Sequence, residues 1–189
     1  MNIGLCITGS FCTYSQIKET TTNLINEGNS VFPILSKAVL ETDTRFGNAK
    51  DFVKDMEDIT GNKAVSSIVE AEPFGTNGKL DVLAIAPCTG NTLAKIATGI
   101  SDDAVTMSAK AHMRNNKPLV IAISTNDALG INMKNIATLL NIKNVYFVPF
   151  GQDNPQNKPK SLISDLSLLS KTIESAVKGI QLQPLLLKT

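Results

Sequence analysis

The stretch GLCITGSFCTYSQI, residues 4–17, sets the reading of this chain. An apolar run closes at Ile7, Thr8-Gly9-Ser10 turns the backbone, and a helical pattern begins a few residues later. A strand that passes through glycine and a hydroxyl residue into a helix is one way of holding a phosphate. The first N–H groups of a helix lack intrahelical partners, and glycine lets the backbone come close. The same three residues also make an ordinary turn and helix cap. What lies beside them decides between the two.

Working outward, short β-branched runs alternate with helical patterns. Strands are expected at 3–8, 30–35, 65–69, 82–86, 119–124 and 145–148, and helices near 15–27, 48–60, 91–99, 103–115, 132–141 and 161–178. This alternation predicts an α/β fold: a single domain over 1–189 with a doubly wound, Rossmann-like parallel sheet of about six strands and helices on both faces. Residues 160–189 form its C-terminal helix and tail. Gly28 suits the left-handed position after the first helix. Asp102 and Asp103 read either as a metal-binding pair or as acids at a helix start. The lack of a His or Cys cluster favours the second, and no metal is assigned. The longest irregular stretch, PFGQDNPQNKPK at 149–160, is expected to be a surface loop or a partner contact.

Composition narrows the function classes. A formal charge of +1 with no basic stripe gives no footprint for nucleic acid, and 5% aromatic residues offer few stacking platforms. No apolar run reaches the roughly 20 residues of a membrane helix. Cys6, Cys12 and Cys88 lack CxxC spacing and read as reduced thiols, so a cytoplasmic protein is expected.

A dinucleotide site needs GxGxxG and an acid after the second strand. Here Gly9 stands alone and Ser36-Lys37 occupies the place of the acid, so the turn fits a mononucleotide phosphate better. Ser36 is placed to offer a further hydroxyl. A second polar turn, IAPCTGNTLAKIATGISDDAVT at 85–106, follows the fourth expected strand, with Pro87 ending the strand, Gly90 relieving the turn and Thr89, Asn91 and Thr92 at a helix start. Two such turns flanking a topological switch point make one pocket, which is stronger evidence than either alone.

PCTGNTLAKIATGISDDAVT, with the glycine–serine turn after strand one, resembles the flavoprotein family of cysteine decarboxylases and flavin prenyltransferases. The resemblance implies FMN held through Gly9, Ser10, Phe11, Ser36, Pro87, Thr89, Gly90, Asn91, Thr92 and Ser124. It also implies a homo-oligomer. The chain departs from the decarboxylases at three places. EAEPFGTNGKLD has no histidine, ISTNDALGIN stands for their PxMNxxMW motif with Asn126 as the counterpart of its Asn, and no cysteine follows Cys88. Decarboxylase or prenyltransferase chemistry is therefore disfavoured.

A narrower resemblance over essentially the whole chain rests on TGSFCTY, TRFGNAKDFVKDMEDITGNKAVSSIVEAEPFG, ISTNDALGIN and NVYFVPFGQDNPQNKP. It is to the second component of a two-component enzyme. It implies a separate partner, the A subunit of that enzyme, which carries NAD(P), together with a small ring dicarboxylate as substrate. A non-catalytic component that supports its partner is the alternative. Carboxylates call for a guanidinium or a lysine, and Arg45 in TDTRFGN is the first candidate, with Lys37 second. Arg45 also reads as an ordinary surface arginine. Asn126 and Asp127, after the fifth expected strand, are the candidates for ring contact and for a proton-accepting base, or alternatively cap the next helix. His112, the only histidine, reads as a packing or surface residue, and Arg114 as a complement to a helix end.

Overall fold

The structure, a computed structural model, describes residues 1–76 and 78–188. β1 (Asn2–Ile7) runs through a 3-10 turn (Phe11–Thr13) into α1 (Tyr14–Asn26), and β2 (Ser30–Leu35) into α2 (Lys37–Glu41) and α3 (Ala49–Thr60). Two single-turn helices, α4 (Ile68–Ala71) and α5 (Pro73–Thr76), precede β3 (Val82–Cys88), α6 (Gly90–Ala97) and α7 (Ala104–Arg114). β4 (Leu119–Thr125), α8 (Met133–Leu140) and β5 (Val145–Phe147) follow. β6 (Phe150–Asn154), β7 (Lys158–Ser164), a 3-10 turn (Leu166–Leu168) and α9 (Leu169–Val177) close the described elements.

The seven strands form one sheet in the order β2-β1-β3-β4-β7-β6, with β5 also on β4. β1 pairs in parallel with β2 on one side and β3 on the other, so the winding reverses between β1 and β3. That reversal opens the crevice in which open α/β sheets bind ligands. Strand period two separates the two faces. Ile3, Leu5 and Ile7 pack with Ile17, Leu24, Phe52, Met56, Leu169 and Ile173, from α1, α3 and α9. Cys6, Leu83, Ile85, Ile121 and Ile123 pack with Leu93, Val105, Ile136 and Leu139, from α6, α7 and α8. β3 is buried throughout, as expected of a central parallel strand covered on both faces. The expected α/β class and helix-covered parallel sheet are thus observed.

Three local expectations are corrected. Residues 65–69 are not a strand: Val65 makes one isolated bridge to Ile34, and the chain turns into α4. Ser67 Oγ accepts from the Glu70 N–H at 3.2 Å while the Glu70 carboxylate accepts from the Ser67 N–H at 3.2 Å. This reciprocal cap outweighs the β propensity of the valine and isoleucine beside it. Residues 149–160 are not an irregular loop, and the helix expected from 161 begins at 169. Between them β6 and β7 form an antiparallel hairpin, so the sheet is mixed rather than wholly parallel.

The hairpin docks because β4 changes partner along its outer edge: Leu119–Ile121 pair with β5, and Ser124 and Thr125 with β7. At the changeover Ser164 Oγ accepts from the Ile123 N–H at 2.8 Å and donates to the Val148 carbonyl at 3.1 Å. The C-terminal tail then covers the free edges. Gln181 accepts from the Phe147 N–H at 2.8 Å and donates to its carbonyl at 2.7 Å, and Phe150 exchanges two backbone hydrogen bonds with Leu185 and Leu187. No helix among the described residues is long and apolar enough to cross a membrane.

Candidate cofactor and substrate site

The turns after β1 and β3 are tied together by a buried hydroxyl. Thr8 Oγ1 donates to the Pro87 carbonyl at 2.7 Å and accepts from the Thr89 N–H at 3.0 Å. The turn after β1 is also joined to β4, through a 2.7 Å hydroxyl–hydroxyl bond between Ser10 and Ser124. Beside these turns lie two adjoining cavities that share Gly9 and Thr89 as a common wall.

The first, of about 520 Å³, is lined by Ser36, Lys37, Asn91, Thr92, Lys95 and Asp103, among others. Ser36 is only 5% exposed, and its hydroxyl has no hydrogen-bond partner among the described residues. A buried orphan hydroxyl costs free energy unless something fills its lone pairs, so it points to a ligand group. Beside it α6 begins, capped by Thr89 without a side-chain hydrogen bond, so its leading N–H groups remain for a partner. A phosphate fits this cradle. A Cβ on Gly9 would lie 3.3 Å from Ala38 Cβ and 3.5 Å from the Phe11 ring. Glycine eases the close packing of this turn against Ala38, with no positive φ involved.

The second cavity, of about 510 Å³, is lined by Ser10, Phe11, Cys12, Arg45, Phe46, Gly90 and Ser124 to Asp127, and by Asp153, Lys158 and Ser161 from the hairpin. Its volume suits a ring system. Asp127 is the hub of its polar wall. Its Oδ1 accepts from Thr125 Oγ1 at 2.6 Å and Asn132 Nδ2 at 2.9 Å, and its Oδ2 from Asn132 Nδ2 at 3.0 Å. Asn132 is held in turn by Asn135, which donates to it at 2.8 Å. The Thr125 hydroxyl is the leading cause that holds the Asp127 carboxyl below the usual carboxylate range; burial opposes it, and the Asn132 amide and a backbone N–H add smaller lowering contributions. Gly90 packs directly against this cluster: a Cβ there would sit 2.5 Å from Asn132 Nδ2 and 2.6 Å from Thr125 Oγ1.

Most of the expected site residues meet here, but they divide. Gly9, Ser10, Phe11, Arg45, Thr89, Gly90, Ser124, Asn126 and Asp127 line the second cavity, whereas Ser36, Lys37, Asn91 and Thr92 line the first. Pro87 is buried and lines neither; it acts through its carbonyl on Thr8. Lys37 lies in the other cavity from Arg45, 3.9 Å from Glu41. Asp102 pairs with Lys95 at 2.8 Å, and Asp103 caps α7. Among the described residues no group of three or more His, Cys, Asp or Glu is placed to hold a metal. Sequence reasoning missed Phe46, Asp153, Lys158 and Ser161. Asn154-Pro155-Gln156-Asn157, a turn signal, is the cue that would have found the hairpin.

Two adjoining cavities at the switch point of a doubly wound sheet are what a flavoprotein-type α/β domain presents, and the chain belongs to the Flavoprotein family, whose sequence model matches residues 1–177. Within it the chain is similar to the B subunit of dipicolinate synthase from Bacillus subtilis, with 48% identity over 98% of this chain and 93% of that protein. The crystal structure of the dipicolinate synthase B subunit from Bacillus halodurans superposes with a TM-score of 0.91 at 46% identity, covering 100% of this chain and 96% of that one. Burkholderia xenovorans DmrB, solved in complex with FMN, shares the fold with a TM-score of 0.70 at 18% identity over 94% of this chain and 95% of that one.

Proposed function

We propose that this chain is the B subunit of a dipicolinate synthase, working with the A subunit in the cytoplasm of a sporulating cell to oxidise dihydrodipicolinate to dipicolinate. The single observation that carries the cofactor reading is the orphaned Ser36 hydroxyl in a cavity that adjoins, through Gly9 and Thr89, a second one large enough for a ring. FMN matches both: its phosphate at Ser36, Asn91, Thr92 and the start of α6, and its ring system along Phe11, Thr89, Gly90 and Ser124. When bound, the flavin supplies a two-electron acceptor. Similarity to named B subunits, and an FMN complex of a protein with the same fold, support the assignment.

Aromatising the dihydro ring removes a hydride equivalent from one carbon and a proton from another position. Arg45 binds one substrate carboxylate as a charge-assisted pair. Asn126 contacts the ring, and Asp127 takes the proton. Three donor contacts already occupy Asp127, which leaves about one of the four lone-pair positions of a carboxylate for that proton. The same contacts keep it ionised at neutral pH. NAD(P) belongs to the A subunit in this scheme, and the B subunit assembles as a homo-oligomer. The absence of a histidine in residues 70–81 and of a cysteine after Cys88 argues against a decarboxylase or prenyltransferase.

The test begins with the absorption spectrum of the purified chain after addition of FMN and removal of the excess. Retained flavin bands are expected, and Ser36→Ala should weaken retention. A colourless protein that refuses FMN would leave the non-catalytic supporting component as the better reading. Dihydrodipicolinate oxidation by the combined A and B subunits is then expected to fall on Arg45→Ala and Asp127→Asn with assembly intact. Unchanged activity in both would remove these residues from the chemistry.

A further inference from the structure

We propose that Lys158, on the β6–β7 hairpin, is the second cation of a two-ended carboxylate clamp whose other end is Arg45, and that Asp153 occupies Lys158 until substrate displaces it. This rests on the dicarboxylate reading above and deepens it. Arg45 and Lys158 are the two cationic residues lining the ring cavity. They reach it from different flanks of the sheet, Arg45 from the segment between α2 and α3 after β2, and Lys158 from β7 beyond β4. Lys37, the other candidate on sequence grounds, opens onto the neighbouring cavity.

The charges on the wall are arranged for exchange. Arg45 makes no ion pair among the described residues and lies over the Phe46 ring at 4.8 Å, so its guanidinium is supported yet uncommitted. Lys158 pairs with Asp153 at 2.7 Å, with side chains 53% and 32% exposed. A pair this exposed is worth little and is easily traded for another carboxylate. Of the two acids on the wall, Asp127 is engaged by Thr125 and Asn132, whereas Asp153 is the one paired with Lys158 and is its competitor. The hairpin is not a loose arm: the Leu129 N–H donates to the Lys160 carbonyl at 3.0 Å, and Ser161 Oγ reaches Asn126 Oδ1 at 3.5 Å. Lys158 is therefore presented from a fixed base.

The experiment is a calorimetric titration of the full chain, with FMN present, using dipicolinate and picolinate, the same ring with one carboxylate. Lys158→Ala is expected to weaken dipicolinate about tenfold, as for loss of one hydrogen bond to a charged group, while picolinate, still able to use Arg45, changes little. Arg45→Ala is expected to behave likewise, and the double variant to bind neither. Asp153→Asn is expected to tighten dipicolinate, by up to about fivefold. Lys158 and Asp153 are exposed or half-buried, so loss of folding does not cloud the comparison. Dipicolinate affinity unchanged by Lys158→Ala, or weakened by Asp153→Asn, overturns the clamp while the substrate reading stands. A wild-type chain that binds neither acid overturns the substrate reading, and the clamp with it.

Discussion

At the scale of single residues, His112 shows how a lone titratable group is absorbed by the core. It is 3% exposed and its Nε2–H donates to the Pro118 carbonyl at 2.9 Å. Burial dominates and brings its pKa from 6.5 to about 4, despite the opposing hydrogen bond. The unfolded chain therefore takes up a proton below about pH 6.5 that the folded chain refuses until about pH 4. The stability this group confers is full above that window and is lost as pH falls through it, up to about 3 kcal/mol. Urea denaturation at pH 7 and pH 5 should show the loss, and His112→Gln should flatten that part of the pH dependence. Gly90 makes the opposite case, a residue whose value is its missing side chain. Gly90→Ala forces a methyl into the Asp127–Asn132–Thr125 cluster and is expected to cost about 1–3 kcal/mol. FMN retention, read from the absorption spectrum, should fall with it.

At the scale of elements, the hairpin is what completes the ring cavity, and the Ser164 hydroxyl joins its base to β4 and to the chain after β5. Ser164→Ala leaves the Ile123 N–H and the Val148 carbonyl buried without their shared partner. The expected loss is about 2 kcal/mol, seen as a lower urea midpoint with an unchanged slope. Local hydrogen exchange at Ile123 should rise. The ends of β1, β3 and β4 respond differently, since Thr8 and the Ser10–Ser124 pair lock them to each other. The reading of Asp127 as proton acceptor belongs here too, because a loop element tunes it. With its pKa held low by Thr125, it stays ionised as pH falls from 7 to 5, so no acid limb from Asp127 is expected in that range. Thr125→Val removes the leading cause and should move any such limb toward higher pH.

For the whole molecule, the tail after α9 closes the sheet edges that the hairpin leaves. Gln181 and residues 185–187 make four hydrogen bonds to Phe147 and Phe150. Truncation after Gly179 should lower stability by about 2–4 kcal/mol and release the Phe147 and Phe150 amides to fast exchange. Those edges would otherwise present unpaired backbone to other chains.

Periodicity and turn chemistry were enough to determine the α/β class, the parallel strands, the glycine–serine and Pro87–Thr92 turns at one sheet end, and a helix start at the Asp102-Asp103 acids. Each of these is a local signal: β-branched runs, a glycine after a strand, an acid three residues before a helical N–H. The strand expected at 65–69 failed because a capping box at Ser67 and Glu70 competes over the same few residues. The hairpin at 150–164 was legible only through its local turn at Asn154–Asn157, while its docking on β4, far away in the chain, was not legible at all. For the same reason Lys37 and Lys158 could not be ranked by position. Lys37 opens α2 directly after β2 and Lys158 opens β7 after the hairpin turn, and only the order of strands sends them to different cavities. The sequence by itself determined the parallel strands with strong β-branched runs, most of the helices, and the two polar turns at one sheet end. The tertiary structure decided which charges share a cavity, because that depends on strand order and long-range packing rather than on neighbours along the chain.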